Sequence, residues 1–233
     1  MFSAKLFALV VAVSVSAGPF FVKRDDYDDG DFIDPRLGGG RMLDASAGLG
    51  EPLNAIISGK SSPDVLSGDG RLQYFQAIGF DRECLGQHQG TPQTANLGDG
   101  RGEVNETAVI RLRRADTPAA GTCIESLIGG NHFRVFPQAG TNALFLATSK
   151  EDDLGEHHNI VANGYDVGRD ELIAAALGTH HGYDAKHFKV IKYVTSVRII
   201  SGLLEPGRGG INHDISIDGN VALLTVTIVD DDD

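Results

Sequence analysis

Between Asn131 and Leu172 the chain reads NHFRVFPQ, ALFLATSKEDD and HHNIVANGYDVGRDEL, and this run constrains the fold more than any other. Phe133 to Phe136 and Ala143 to Thr148 are apolar and of strand length. A Gly140-Thr141-Asn142 turn separates them, so they predict an antiparallel hairpin. A His-rich loop follows. Then Leu172, Ile173 and Ala176, with Leu177 beside them, make the apolar stripe of a helix spanning Asp166 to Leu177. That helix needs a sheet to bury its stripe, and the hairpin is the nearest one. Asp166 is placed to cap the helix, and Gly178 stands where it should stop.

The remaining elements read as a strand-rich fold with short helices. PLNAIIS at 52–58 is a buried strand. Ser61-Ser62-Pro63-Asp64 starts a helical turn, and Leu72, Phe75 and Ile78 give a helix over Arg71 to Ile78. Residues 81–106 read as a long Gly/Gln/Asp-rich loop, Thr107 to Arg113 as a strand, and Cys123 to Ile128 as a short helix. The β-branched run within Phe188 to Leu204 and VALLTVTIV at 221–229 are further strands. With 41% hydrophobic and 22% charged residues in 233, the chain supports one good-sized core. The fold class expected is α+β: a single domain with a mixed, largely antiparallel sheet and a few short helices packed on it.

The ends read as targeting and processing segments. Lys5 precedes the apolar run Leu6 to Ala17, and Val15-Ser16-Ala17 has the small residues of a cleavage site. Residues 1–17 are therefore expected to be a signal peptide. Residues 18–24 are expected to be a short propeptide ending in the dibasic pair Lys23-Arg24, the type of site that kexin-like proteases cut. Cleavage there removes three basic residues and no acidic one, moving the net charge from −12 to −15. N-terminal sequencing of the secreted protein is then expected to begin at Asp25, and an intact Met1 in a cytosolic fraction would end the secretion reading. Residues 25–50 read as a flexible acidic and Gly-rich arm. Tyr27 and Arg36 stand where calcium ligands would be needed, which excludes an EF-hand. The domain is placed at 51–229 and an acidic tail at 230–233.

An acidic secreted chain is expected to avoid nucleic acid, and after signal cleavage no membrane span remains. Its two cysteines, Cys84 and Cys123, are expected to pair in an oxidising compartment. Asn105-Glu106-Thr107 is an N-glycosylation sequon.

Seven of the eight histidines lie from His132 onward. His157-His158 and His180-His181 are adjacent pairs, and H-x-H and H-E-x-x-H spacings are missing, so no cofactor is expected, a divalent metal being the alternative. His132 and Arg134 share one strand face, opposite Phe133 and Val135. Arg134 is placed either to hold an anionic ligand or to pair with Asp166 or Asp170 of the helix, which would cover that face. His132, Arg134, His158, Asp166, Arg169 and Asp170 are the candidate catalytic or binding residues. No G-x-S-x-G or G-x-x-x-x-G-K-[ST] motif is present.

The order Pro52-Leu53-Asn54, Ile78-Gly79-Phe80, Asn131-His132-Phe133-Arg134, Ala143 to Thr148, His157-His158 and Asp166 with Arg169-Asp170 resembles the LssY C-terminal-like domain family, over roughly residues 51–180. The words ECLG, ESLIGGNHFR and NGYD are also similar to a group of uncharacterised secreted fungal proteins. The chain departs from the family in two places: a longer stretch between His158 and Asp166, and Gly168 where the family has an acid before the arginine. The family has no assigned activity. The resemblance and the targeting segments together imply a secreted extracellular or wall-associated binding or interaction module. The alternative is a secreted hydrolase of phosphoester or wall polymer using the His/Asp/Arg set.

Overall fold

The computed structural model describes residues 20–22, 30–46, 48–86, 91–115 and 118–229. The expected signal peptide, the Lys23-Arg24 pair, residues 25–29 of the arm and the acidic tail lie outside the described residues. The fold is α+β. Among the described residues, eleven strands and four α-helices follow the chain as β1 (Phe20–Val22), β2 (Ala55–Ile57), α1 (Pro63–Leu66), α2 (Gly68–Ala77), β3 (Phe80–Arg82), β4 (Thr94–Asn96), β5 (Glu103–Asn105), β6 (Ala108–Leu112), α3 (Pro118–Ile128), β7 (Gly130–Pro137), β8 (Leu144–Glu151), α4 (Gly164–Ala176), β9 (Gly178–Asp184), β10 (Lys189–Ile200) and β11 (Val221–Val229).

Nine strands form one mixed sheet in the order β1-β10-β11-β2-β8-β7-β6-β3, with β9 also on β10, while β4 and β5 form a separate hairpin. Only β1/β10 and β11/β2 are parallel. The expected hairpin is present as β7/β8, in a register that sets Phe133 opposite Thr148 and His132 opposite Ser149.

The central strands are apolar on both faces because both are covered, which is why they read as near-continuous apolar runs rather than alternating ones. On one face, Phe133, Val135, Leu146 and Leu224 meet α2 and the α4 stripe Leu172, Ile173 and Ala176 in a first core. There Phe75 and Phe133 pack edge to face at 5.0 Å, as do Tyr74 and Tyr193 at 5.4 Å. On the other face, Ile56, Phe136, Phe145 and Leu223 are covered by Phe32, Met42, Leu53, Leu97 and Ile211 from loops in a second core.

Four expectations need correction. The arm over 25–50 is not extended where it is described: Phe32 is fully buried, Met42 nearly so, and Asp31 accepts from Ser58 and Arg198. Its apolar residues fill the second core, to which α4 contributes Tyr165. The loop expected at 81–106 contains β3, the β4/β5 hairpin and a short 3-10 turn at Cys84–Gly86. Asp166 does not cap α4; Asn163 holds that position in left-handed geometry (φ 59°), and Asp166 lies in the first turn. A serine cap is expected for α1 as well; Ser62 stands at its N-cap, but the side chain makes no capping bond. Ser61 and Ser62 accept instead from the backbone of Val226 and Ile228, fastening α1 to β11.

Helix α4 lies directly on β8. A Cβ at Gly168 would stand 2.7 Å from the backbone of Ser149, so the residue before Arg169 has no room for a side chain. Gly168→Ala is therefore expected to destabilise by about 1–3 kcal/mol, even though alanine is favoured over glycine in a helix by about 1 kcal/mol. Thermal denaturation of the variant measures the sign.

Cys84 and Cys123 are disulfide-bonded, with Cα atoms 4.5 Å apart and a sequence separation of 39. On the chain-entropy account such a loop stabilises by roughly 3–4 kcal/mol. Melting of Cys84→Ala/Cys123→Ala against the parent is expected to show that loss.

Candidate functional site

The site grows from strand parity. Phe133 and Val135 face α2 and α4, so His132 and Arg134 project to the other side of β7. Register places Arg111 of β6 and Ser149 of β8 on either side of His132, and Val109 and Ala147 on either side of Arg134. Glu151, two residues beyond Ser149, shares that face. The result is a charged layer across three adjacent strands.

Arg111 is one hub. Its guanidinium lies 3.0 Å from Glu151 Oε2, 3.2 Å from Glu125 Oε2 and 3.4 Å from Glu83 Oε1. Glu83 precedes Cys84 and Glu125 follows Cys123 by two residues, so the disulfide holds both carboxylates against Arg111. His132, 2% exposed, puts Nδ1 3.6 Å from Glu151 Oε1, and its Nε2 lies 3.5 Å from Ser149 Oγ. His158 approaches Glu151 from the opposite side, its Nδ1 3.9 Å from Oε2, with 32% of its side chain exposed. The His-rich loop brings it there through consecutive left-handed residues, His157 (φ 59°) and His158 (φ 55°), after a turn whose Asp153 side chain accepts from Glu156 N.

Arg134 is the second hub. Its Nη1 lies 3.2 Å from Glu106 Oε2 and its Nε 3.7 Å from Glu51 Oε2. Glu51 donates its backbone N–H to Asp44 Oδ1 at 2.7 Å, and Asp44 N–H donates back to Glu51 O at 3.0 Å. Tyr165 of α4 closes this end. Among the described residues, ten buried side-chain polar atoms lack a hydrogen bond. Six belong here: Asp44 Oδ2, Glu51 Oε2, His132 Nδ1, Arg134 Nε, His158 Nδ1 and Tyr165 Oη.

Burial sets the protonation pattern. It holds His132 neutral, lowering its pKa to about 3. It raises Glu125 to about 7 against the attraction of Arg111, and raises Asp44 to about 7 with help from the nearby Glu51 charge. Glu51 is raised by the same burial, opposed by Arg134. Burial also opposes ionisation of Glu151, but the groups beside it, His132 and Arg111 foremost, outweigh it and lower its pKa. Because His132 is itself neutral at ordinary pH, Arg111 is the cation that keeps Glu151 charged. One layer thus holds carboxyls that keep their protons to higher pH beside one that ionises more readily than usual.

The six sequence candidates divide. His132, Arg134 and His158 share this layer. Asp166, Arg169 and Asp170 do not. Arg169, its side chain 5% exposed, bonds Asp218 at 2.6 Å and Asp170 at 2.8 Å, while Asp166 accepts from Asp218 N at 3.1 Å. That cluster fastens α4 to the loop before β11. The expected pairing of Arg134 with Asp166 or Asp170 is therefore wrong, as is covering of the His132 face by the α4 stripe. The stripe belongs to the Phe133 side, where Asn131 donates to Gly168 O at 2.7 Å. Arg111 and Glu151 were reachable from strand alternation and hairpin register. Asp44, Glu51, Glu106 and Glu125 come from separate segments and carry no local signal.

Beside the charged layer, a cleft of about 370 Å³ opens between α2 and the edge of β6 that β3 leaves uncovered among the described residues. Arg71, Leu72, Phe75 and Arg82 line it, and Glu83 and Glu106, which hold Arg111 and Arg134, form part of its wall. Asn105 of the sequon is exposed at the end of β5, next to Glu106. Among the described residues, no three His, Cys, Asp or Glu side chains group into a cation cage. Comparison with protein-family models, with curated proteins and with solved structures yields no match for this chain.

Proposed function

We propose that this protein is a secreted extracellular or wall-associated binding module of the LssY C-terminal-like kind, with the cleft beside α2 as its ligand site. The observation that carries this reading is the division of labour between layer and cleft. His132 is buried and Arg134 half-buried, and both are engaged by protein groups, so they serve as framework, whereas the adjoining cleft is open and of ligand size. The disulfide and the apolar Leu6 to Ala17 run support an extracellular destination. No helix among the described residues is long and apolar enough to cross a membrane.

A second reading, a hydrolase of phosphoester or wall polymer, is favoured by one feature. His158 is partly exposed and faces the ionised Glu151, the relation a general base has to the group that orients it. Assays of the purified secreted chain on p-nitrophenyl phosphate and on wall polysaccharide separate the two. The binding reading expects no turnover by the parent. Turnover that disappears in His158→Asn with an unchanged melting midpoint would replace it with the hydrolase reading.

A further inference from the structure

Arg71 and Arg82 differ from the ion-paired arginines of this chain. Acidic residues outnumber basic ones 32 to 20, and the arginines on the opposite sheet face and its flanks, Arg111, Arg134, Arg169 and Arg198, each hold a carboxylate. Among the described residues, neither Arg71 nor Arg82 has a carboxylate within ion-pair distance. Yet both line the one cleft, and the charge of Arg82 adds to burial in lowering the pKa of Arg71. Among the described residues, the side-chain bond that Arg71 makes is a long one, Nη1 to Thr107 Oγ1 at 3.4 Å. Two like charges set together at a partly buried position cost stability unless something of opposite charge joins them. The nearby acids do not: Glu83 and Glu106 are turned to Arg111 and Arg134.

We propose that the cleft binds a phosphomonoester carried on a short apolar body, with Arg71 and Arg82 holding the phosphate and Leu72, Phe75, Val109 and Ile110 holding the body. This rests on the binding-module reading and names its ligand class. Two guanidinium forks match the two negative charges and the tetrahedral oxygens of a monoester, whereas a carboxylate would leave one of them unpaired. Gly68, the first residue of α2, lies on the same wall, so the positive end of that helix adds to the field. The volume, near the lower end for small-ligand sites, suits a head group with one ring or a short chain. Pro92, Leu72 and Phe75 give that body an apolar wall.

Isothermal titration calorimetry of the full secreted chain with n-octyl phosphate, 1-octanol and sodium octanoate tests this. Octyl phosphate is expected to bind, more weakly as salt rises, and at least about tenfold more tightly than either other probe. Arg71→Gln and Arg82→Gln are each expected to weaken it at least about tenfold, Arg71→Lys to lose less, and Arg208→Gln, a distant exposed control, to leave it unchanged. Each variant is melted first to establish that it is folded. Co-sedimentation with phosphatidylcholine vesicles, with and without phosphatidic acid, separates the sources of the head group. Binding that requires phosphatidic acid and both arginines assigns it to a lipid, and binding of octyl phosphate alone assigns it to a free monoester. Equal affinity for octanol and octyl phosphate overturns the phosphate assignment and leaves the cleft as a binding site. No binding of any probe overturns both. Unchanged octyl phosphate affinity in both glutamine variants moves the ligand elsewhere.

Discussion

Replacing Arg134 with alanine is expected to lower the unfolding free energy by about 3–5 kcal/mol, because the charge between Glu51 and Glu106 disappears and the acids stay buried. Asp44, fully buried and hydrogen-bonded to Glu51 N–H, loses the same cation's attraction. For a chain of this length the melting midpoint should fall by roughly 10 °C. The cost should shrink in mildly acidic solution, where Asp44 and Glu51, whose pKa values are already raised, take up protons and no longer need a counter-charge. Adding Glu51→Gln should recover part of the loss at neutral pH, since it removes one of the stranded charges. A midpoint within a degree or so of the parent would show that Arg134 is not framework, and would return it to the list of ligand-binding groups.

Glu125→Gln is expected to stabilise the protein in alkaline solution and to leave it unchanged in acid. Folded Glu125 keeps its proton to about pH 7, whereas the unfolded chain releases it near the ordinary glutamate value of 4.5. Between those values the folded state binds more protons than the unfolded one, so its stability falls as pH rises, by about 3 kcal/mol in all. Asp44 acts in the same direction over a similar window. His132 acts in the opposite direction on the acid side. Its folded pKa of about 3 lies below the ordinary histidine value of 6.5, so in that interval the unfolded chain binds the extra proton and stability is lost as pH falls. Glutamine at 125 cannot ionise, and Arg111 retains Glu151 and Glu83. At pH 8 the variant should therefore exceed the parent by about 2–3 kcal/mol in denaturant unfolding, and match it near pH 4.5. Parallel pH profiles for the two proteins would mean that Glu125 titrates normally, and that burial does not dominate there.

The hairpin was legible because its information is local. Strand-length apolar runs, a Gly-containing turn and period-two alternation fix which of His132 and Phe133 points which way, whatever the rest of the fold does. The α4 helix was legible for the same reason, and Gly168 within it marks a close approach that only the packing explains: the helix axis passes over the backbone of Ser149. The acid-rich stretch before Glu51 misled because composition reports solubility, not burial. Phe32 and Met42 lie among many acidic and glycine residues, yet they cover a sheet face that loops, with Tyr165 of α4, close off.

The charged layer shows the limit most clearly. Sequence alone put His132 and Arg134 on one face and paired Cys84 with Cys123. It also placed Asp166, Arg169 and Asp170 on one helix. Which acid meets which arginine was decided by the tertiary structure. Arg134 found Glu51 and Glu106, from the segments before β2 and β6, and Arg169 found Asp218, 49 residues away. The physical reason is that an arginine's partner is set by which carboxylate is desolvated alongside it. Desolvation depends on the packing of segments distant in sequence, whereas strand parity and helix period depend only on neighbours.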